Sequence, residues 1–221
     1  QNPLHVYGLL FQQAFGTGYG LGQTLFRATP YLCTGLAVAL GFRAGLFNIG
    51  VESQMYVGGF AAGLAGAYLT SMPAPLVLPL SVFAAMLAGG AWGAIPGVLK
   101  ARFGAHEVIN TIMLNFVAFS LVSWAGRALF LPATVHTRDV AEGAWLPRLD
   151  VFVPALRGAP ANVSLLLALA LAFATGLLLF RTRLGYELRA VGLNATAAEF
   201  GGVAIGRAQW LAMALSGALA G

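Results

Sequence analysis

Three groups of residues in this chain have the types and spacing to do chemistry. The stretch Arg43-Ala-Gly-Leu-Phe-Asn-Ile-Gly-Val-Glu-Ser-Gln54 sets Asn48, Glu52 and Gln54 between two strongly apolar segments. Polar groups in such a place are costly inside a membrane, so they read as a loop, a helix break or part of a path for something polar. Further along, Glu107, Thr111 and Asn115 stand at i, i+4 and i+8 and share one helical face, with Asn110 beside it. Amide and hydroxyl groups on one face can hydrogen-bond an uncharged polar solute. They can equally bond helix to helix, at about 1 kcal/mol per bond in membranes. In the third group, from Arg181 to Gly202, Asn194 is a good helix N-cap, Ala195 to Phe200 can form a short helix, and Gly201 with Gly202 can end it. That helix is either a docking peg or a solvated connector.

Other chemistries fail on a missing partner. His106-Glu107-Val-Ile-Asn110 falls short of the zinc protease pattern, which needs a second His four residues on, where Asn110 stands. A serine protease of the rhomboid type needs a Gly-x-Ser-Gly elbow and a later His, and neither is present. The lone lysine, Lys100, lies between Leu99 and Ala101 and not in a phosphate-cradling loop. Any ATP hydrolysis therefore belongs to a partner. Cys33 has no cysteine to pair with, and the scattered His residues have no metal spacing, so no catalytic or metal-ligating residue is expected.

The elements that position these groups are membrane helices. Hydrophobic residues make up 59% of the chain and charged residues 9%, with mean hydropathy +0.81, against roughly a quarter charged in a soluble domain. Residues 53 to 99 hold no Asp, Glu, Lys or Arg, a run far longer than the roughly 20 residues of one span. It must turn back at Thr70-Ser-Met-Pro-Ala-Pro75, where two prolines disfavour helix. Apolar runs near 28–42, 51–69, 76–99, 108–128, 163–180 and from 203 predict an all-α, polytopic transmembrane bundle of about six helices. Residues 1–26 carry no formal charge and read as a peripheral or partly inserted helix. The chain starts at Gln1 and stops at Gly221 within an apolar run, so it reads as a single transmembrane domain, 1–221, truncated at both ends.

Small residues recur at four-residue spacing, Gly59, Gly63 and Ala67 on one helix and Gly89, Gly93 and Gly97 on the next. Such stripes let helix backbones approach closely; a pore lining is the other reading. A formal charge of +5 could suggest nucleic acid, but the twelve basic residues are dispersed among the breaks between apolar runs. Their distribution puts 100–107 and 181–207 in the cytoplasm, 131–162 outside, and Arg43 to Gly50 at or below the inner face.

The Gly-Leu-Phe-Asn-Ile-Gly-x-Glu-x-Gln block at 45–54, the Thr29-Pro30 pair followed by Thr34-Gly-Leu-Ala37, and His106-Glu-Val-Ile-Asn-Thr-Ile-Met-Leu-Asn115 together resemble bacterial ABC importer permeases. The resemblance is to the nucleoside or simple-sugar branch served by basic-membrane-protein-type lipoproteins, related to the ribose and branched-chain amino acid permeases. It covers about residues 27–221, and the Gly192-x-Asn194-x-x-Ala197-Ala198-x-x-x-Gly202 spacing is similar to that family's ATPase-docking loop. Ser53 departs from the expected Glu-Gly-Gln form.

The resemblance implies a multi-pass permease of the bacterial inner (plasma) membrane, not an enzyme, that passes a neutral polar solute, a nucleoside before a simple sugar. It implies a second homologous permease, a cytoplasmic ATP-binding-cassette ATPase that carries the ATP and Mg, and an external solute-binding lipoprotein. The chain itself would bind no cofactor. Segment 181–207 becomes the ATPase-coupling loop, with Glu187, Arg189, Gly192, Asn194, Ala197 and Glu199 as coupling residues. Asn48, Gln54, Asn110, Thr111 and Asn115 become the solute path, and Glu52 lies on it or anchors the break. An ion-coupled carrier or channel with Glu52 as its ion site is the alternative of another class.

Overall fold

The computed structural model describes residues 3–221. Its helices are α1 (Pro3–Phe15), α2 (Gly18–Arg43), α3 (Val51–Tyr68), α4 (Ala74–Phe103), α5 (Glu107–Ala128), α6 (Ser164–Arg181), α7 (Arg183–Leu193), α8 (Ala195–Phe200) and α9 (Ile205–Ala220). Among the described residues, β structure is a lone antiparallel bridge between Arg148 and Asn162. The all-α expectation holds. Of the six expected spans, α2, α4, α5 and α6 are each long and apolar enough to cross a membrane. Helix α3 carries Glu52, Ser53 and Gln54 in its first turn, and α9 has 16 residues.

Local chemistry explains the helix ends. Helix α2 stops in a Schellman arrangement: Gly45 takes φ +72, its N–H donates to the Phe42 carbonyl at 3.0 Å, and the Leu46 N–H reaches back to Gly41 at 3.0 Å. Helix α4 starts after Pro73 with Pro75 in its first turn and ends at Gly104, φ 66. The turn expected at 70–75 is therefore present. At the other end, α2 begins at Gly18 and not near residue 28. Arg27 and Thr29-Pro30 look like a boundary in a linear reading. The helix runs through them, and the Thr29 hydroxyl donates to the Leu25 carbonyl at 2.9 Å. Residues 3–26 are thus α1 plus the start of α2, not one peripheral helix; residues 1 and 2 lie outside the described part.

The described chain forms two compact units, 1–33 with 146–172 and 34–145 with 173–221. In the first, short 3-10 turns at Leu149–Val151 and Pro154–Leu156 bury Leu149, Leu156 and Ala161 against Leu25, Val163 and Leu165. The later part of the expected 131–162 insert therefore has no core of its own and borrows apolar surface from α2 and α6.

In the second unit α4 packs most extensively on α9, and next on α3. The expected Gly89, Gly93 and Gly97 stripe is the reason for the first contact. A Cβ on Gly93 would stand 2.5 Å from the Met213 carbonyl oxygen, and one on Gly97 2.7 Å from Trp210 Cα. On α3 the expected stripe is covered at Ala67, 4% exposed, while the close glycine contacts lie one residue out of register from it. Gly58 abuts Gly221, and Gly66 faces Val140 and Ala144, whereas Gly59 and Gly63 have nothing within 4 Å. Spacing shows that a helix has a small face, but with glycines at both 58 and 59 only the neighbours decide which one is covered. A central cluster of Leu40, Ala44, Leu46, Leu188, Val191, Ala198, Ala212 and Met213 joins the end of α2 to α7, α8 and α9.

Candidate functional site: a buried amide knot and a capped short helix

The break between α2 and α3 brings the expected polar residues together. Asn48 is 3% exposed and Gln54 1%. Asn48 Nδ2 donates to Gln54 Oε1 and to Ser216 Oγ, both at 2.9 Å, while its Oδ1 accepts from Gln54 Nε2 at 3.1 Å and from the Gly50 N–H at 3.0 Å. All four hydrogen-bonding positions of this amide are filled. Ser216 passes the chain on, its hydroxyl donating to the Ala37 carbonyl at 2.7 Å. One buried network therefore ties α2, α3 and α9 at the break.

Asn115 extends the network to α5. Its Oδ1 accepts the Ser53 N–H and its Nδ2 donates to the Ile49 carbonyl, both at 3.3 Å. The first N–H groups of a helix have no partner within it, so α5 supplies part of the cap of α3 across the bundle. Ser53 itself is fully buried and donates through Oγ to the Gly50 carbonyl at 2.7 Å. Its place in the sequence motif is thus a second closure of the same turn. Room for the knot comes from glycines: a Cβ on Gly50 would meet Thr111 Cβ at 3.1 Å, and one on Gly93 would meet Gln54 Nε2 at 3.3 Å.

Thr111 is fully buried on the same face of α5, but its hydroxyl bonds its own helix, donating to Glu107 and Val108 carbonyls. Glu107 is 9% exposed and pairs with Lys100 Nζ at 2.7 Å, a clasp across the turn between α4 and α5. Glu52 does not join the knot. It is exposed and makes no hydrogen bond or ion pair among the described residues, so the anchoring role expected of it falls to Asn48 and Ser53. Asn110 is half-buried, and its Nδ2 is enclosed without a partner. Buried donors are nearly always satisfied, and among the described residues this amide and the Trp92 indole N–H are the enclosed donors left without a partner.

The segment from Arg181 to Gly202 forms as its capping residues require. Asn194 Oδ1 accepts the Ala197 N–H at 3.0 Å at the start of α8, and Gly202 follows its end at φ +82. The six expected coupling residues divide by direction. Asn194, Ala197 and Glu199 are exposed, and Glu187 pairs with Arg183 at 3.1 Å. Gly192 and Arg189 face inward: Gly192 abuts the backbone of Arg43 and Gly45, and Arg189 Nε donates to the Leu179 carbonyl at 3.0 Å. Leu193 is 89% exposed and Phe200 90%, and both were missed by a reading that sought polar residues. Ser216 was missed because it lies 168 positions from Asn48, and Ser53 and Lys100, though noticed in the chain, gave no sign of the partners they bond.

Among known proteins, the chain is 39% identical over 217 residues to a guanosine ABC transporter permease of Bacillus subtilis, covering 97% of this chain and 61% of the relative. A glucose ABC transporter permease of Haloferax volcanii is 36% identical, at 99% and 59% coverage. A nucleoside ABC transporter permease of Lactococcus lactis is 32% identical, at 100% and 62%. The chain thus spans about three fifths of the length of these relatives. No solved structure matches it significantly. Its relatives are transport components rather than enzymes, and residues 20–221 match the family described as branched-chain amino acid transport system / permease component. With several helices able to span a bilayer, the chain is an integral protein of the bacterial plasma membrane and belongs to that permease family.

Proposed function

We propose that this chain is part of the permease subunit of an ABC importer that moves a neutral polar solute, a nucleoside, across the membrane. The observation that carries the reading is the buried set Asn48, Ser53, Gln54, Thr111, Asn115 and Ser216, which gathers amides and hydroxyls and no charge at the α2–α3 break. Such groups match the donors and acceptors of an uncharged base and sugar. Relatives whose names specify guanosine and nucleosides support the substrate class. A simple sugar is the second reading, favoured by the glucose permease relative.

Within this reading the knot frames the path, and Asn110, with its free donor, contacts the solute. Asn48, Gln54, Thr111 and Asn115 hold the wall in the present state and reach solute only if the knot opens. ATP hydrolysis takes place on a cytoplasmic ABC ATPase that docks on α8. Exposed Leu193 and Phe200 beside Asn194 and Glu199 support that contact, since large apolar side chains in water mark interaction sites. A second homologous permease completes the path, and an external lipoprotein delivers the solute. Transport follows from a population shift: ATP closes the ATPase pair, α8 moves with it, and the bundle exchanges its two facings.

The test is uptake by proteoliposomes holding the full permease, its ATPase and the lipoprotein. ATP-dependent uptake of labelled guanosine, competed by other nucleosides and not by glucose, is the expected result. Competition by glucose alone would move the substrate to the sugars. Uptake that ignored ATP and collapsed with an uncoupler would put the protein among ion-coupled carriers.

A further inference from the structure

The segment from α7 to α8 meets the α2–α3 break most tightly between two glycines. A Cβ on Gly192, in the last turn of α7, would run into the Arg43 carbonyl oxygen and stand 2.8 Å from the Gly45 nitrogen. A Cβ on Gly45 would stand 3.1 Å from Gly192 Cα. Backbone lies on backbone here, with no flexible side chain between to absorb a displacement. Gly45 also sits at φ +72, which side-chain-bearing residues rarely adopt, so the turn has one shape.

Two further contacts clamp the same pair of segments. Arg43, from the end of α2, and Arg189, from α7, both lie over the Phe180 ring, at 5.6 and 5.1 Å from its centroid. Beneath them Ala44, Leu46, Leu188, Val191 and Ala198 share one buried cluster. Three residues beyond Gly45 the chain reaches Asn48, with its four hydrogen bonds.

We propose that Gly192 is a positioning residue for transport: through its contact with Gly45, α7, α8 and the 43–48 turn move as one rigid body, delivering any displacement of α8 directly to Asn48. The proposal rests on the importer reading for the source of that displacement. Close-packed elements transmit strain and do not deform continuously. Opening of the knot is then set by the position of α8, not by the solute alone.

The test uses the complete importer. Gly192→Ala inserts a methyl group where none fits, and Phe180→Ala removes the shared ring without touching the outward face of α8. The expected result for both is solute moved per ATP hydrolysed falling about tenfold, with assembly retained and ATP hydrolysis kept. A merely structural role would lower assembly, hydrolysis and uptake together and leave the ratio unchanged, which would overturn the proposal. A second measurement is independent of uptake. Spin labels replace Phe47 and Tyr186, which is exposed on α7, in a Cys33→Ser background, and their separation is read without nucleotide and with ATP trapped. An unchanged separation is expected; a separation that changes with nucleotide would overturn the rigid body. Wild-type importer that hydrolyses ATP and moves no solute would instead refute the importer reading, and the distance measurement would still stand.

Discussion

Asn48 and Gln54 bond each other twice, amide to amide, at 2.9 and 3.1 Å across the break between α2 and α3. Both are almost fully buried, so removing one orphans groups of the other. Asn48→Ala would leave the Gly50 N–H, the Gln54 amide and the Ser216 hydroxyl short of partners. An unmet buried group costs about 1–3 kcal/mol. Thermal unfolding in detergent should show a loss of about 2–4 kcal/mol, larger than for Ala at the exposed Glu52, where no change is expected.

Asn115 and Asn110 test the proposed division between scaffold and path. Asn115→Leu removes the cross-helix cap on Ser53 and should lower stability by about 1 kcal/mol as well as uptake. Asn110→Leu removes an enclosed donor that has no partner. Stability in detergent should therefore hold or rise while nucleoside uptake falls. Normal uptake by this variant would take Asn110 off the path.

The Lys100–Glu107 clasp is partly exposed, 28% and 12% for the two side chains. Lys100→Met should cost about 1 kcal/mol, with Glu107 left half-compensated at the head of α5. The charge-swapped pair Lys100→Glu with Glu107→Lys should recover less than the full loss, because Glu at a helix C-terminus and Lys at an N-terminus oppose the helix dipoles. Full recovery in a double-mutant cycle would count against the dipole argument.

Glycine register on α3 and α4 gives opposite signs. Gly93→Ala places a methyl 2.5 Å from the Met213 carbonyl oxygen and should destabilise by about 1–3 kcal/mol. Gly63→Ala meets open space and should stabilise by up to about 1 kcal/mol through helix propensity. Melting curves of the purified chain distinguish the two.

Glu199 is exposed on α8 and makes no ion pair among the described residues. Glu199→Arg should leave folding unchanged and reduce the solute carried per ATP. Unchanged coupling would remove Glu199 from the docking surface while leaving Leu193 and Phe200 as its apolar centre.

Much of this architecture can be read along the chain. Lipid has no hydrogen-bonding partners for the backbone, so long apolar runs have to be helices, and Pro73, Gly104 and Gly45 end them for reasons internal to a few residues. The cap of α8 by Asn194 is equally local. The same holds for the polar character of the α2–α3 break, because composition alone says where water-loving groups lie between apolar ones.

What those groups do was decided in three dimensions. Asn48 meets Ser216 168 positions away, and Ser53 meets Asn115 62 positions away. No periodicity connects such pairs. Helical spacing put Thr111 and Asn115 on one face, yet Thr111 bonds its own helix and Asn115 caps another. A hydrogen bond depends on donor and acceptor arriving within about 3 Å, and a glycine's importance depends on what lies where its side chain would be. Both are properties of neighbours brought together by folding, so Gly192 looked like part of a docking motif in the chain and proves, once folded, to lie against Gly45.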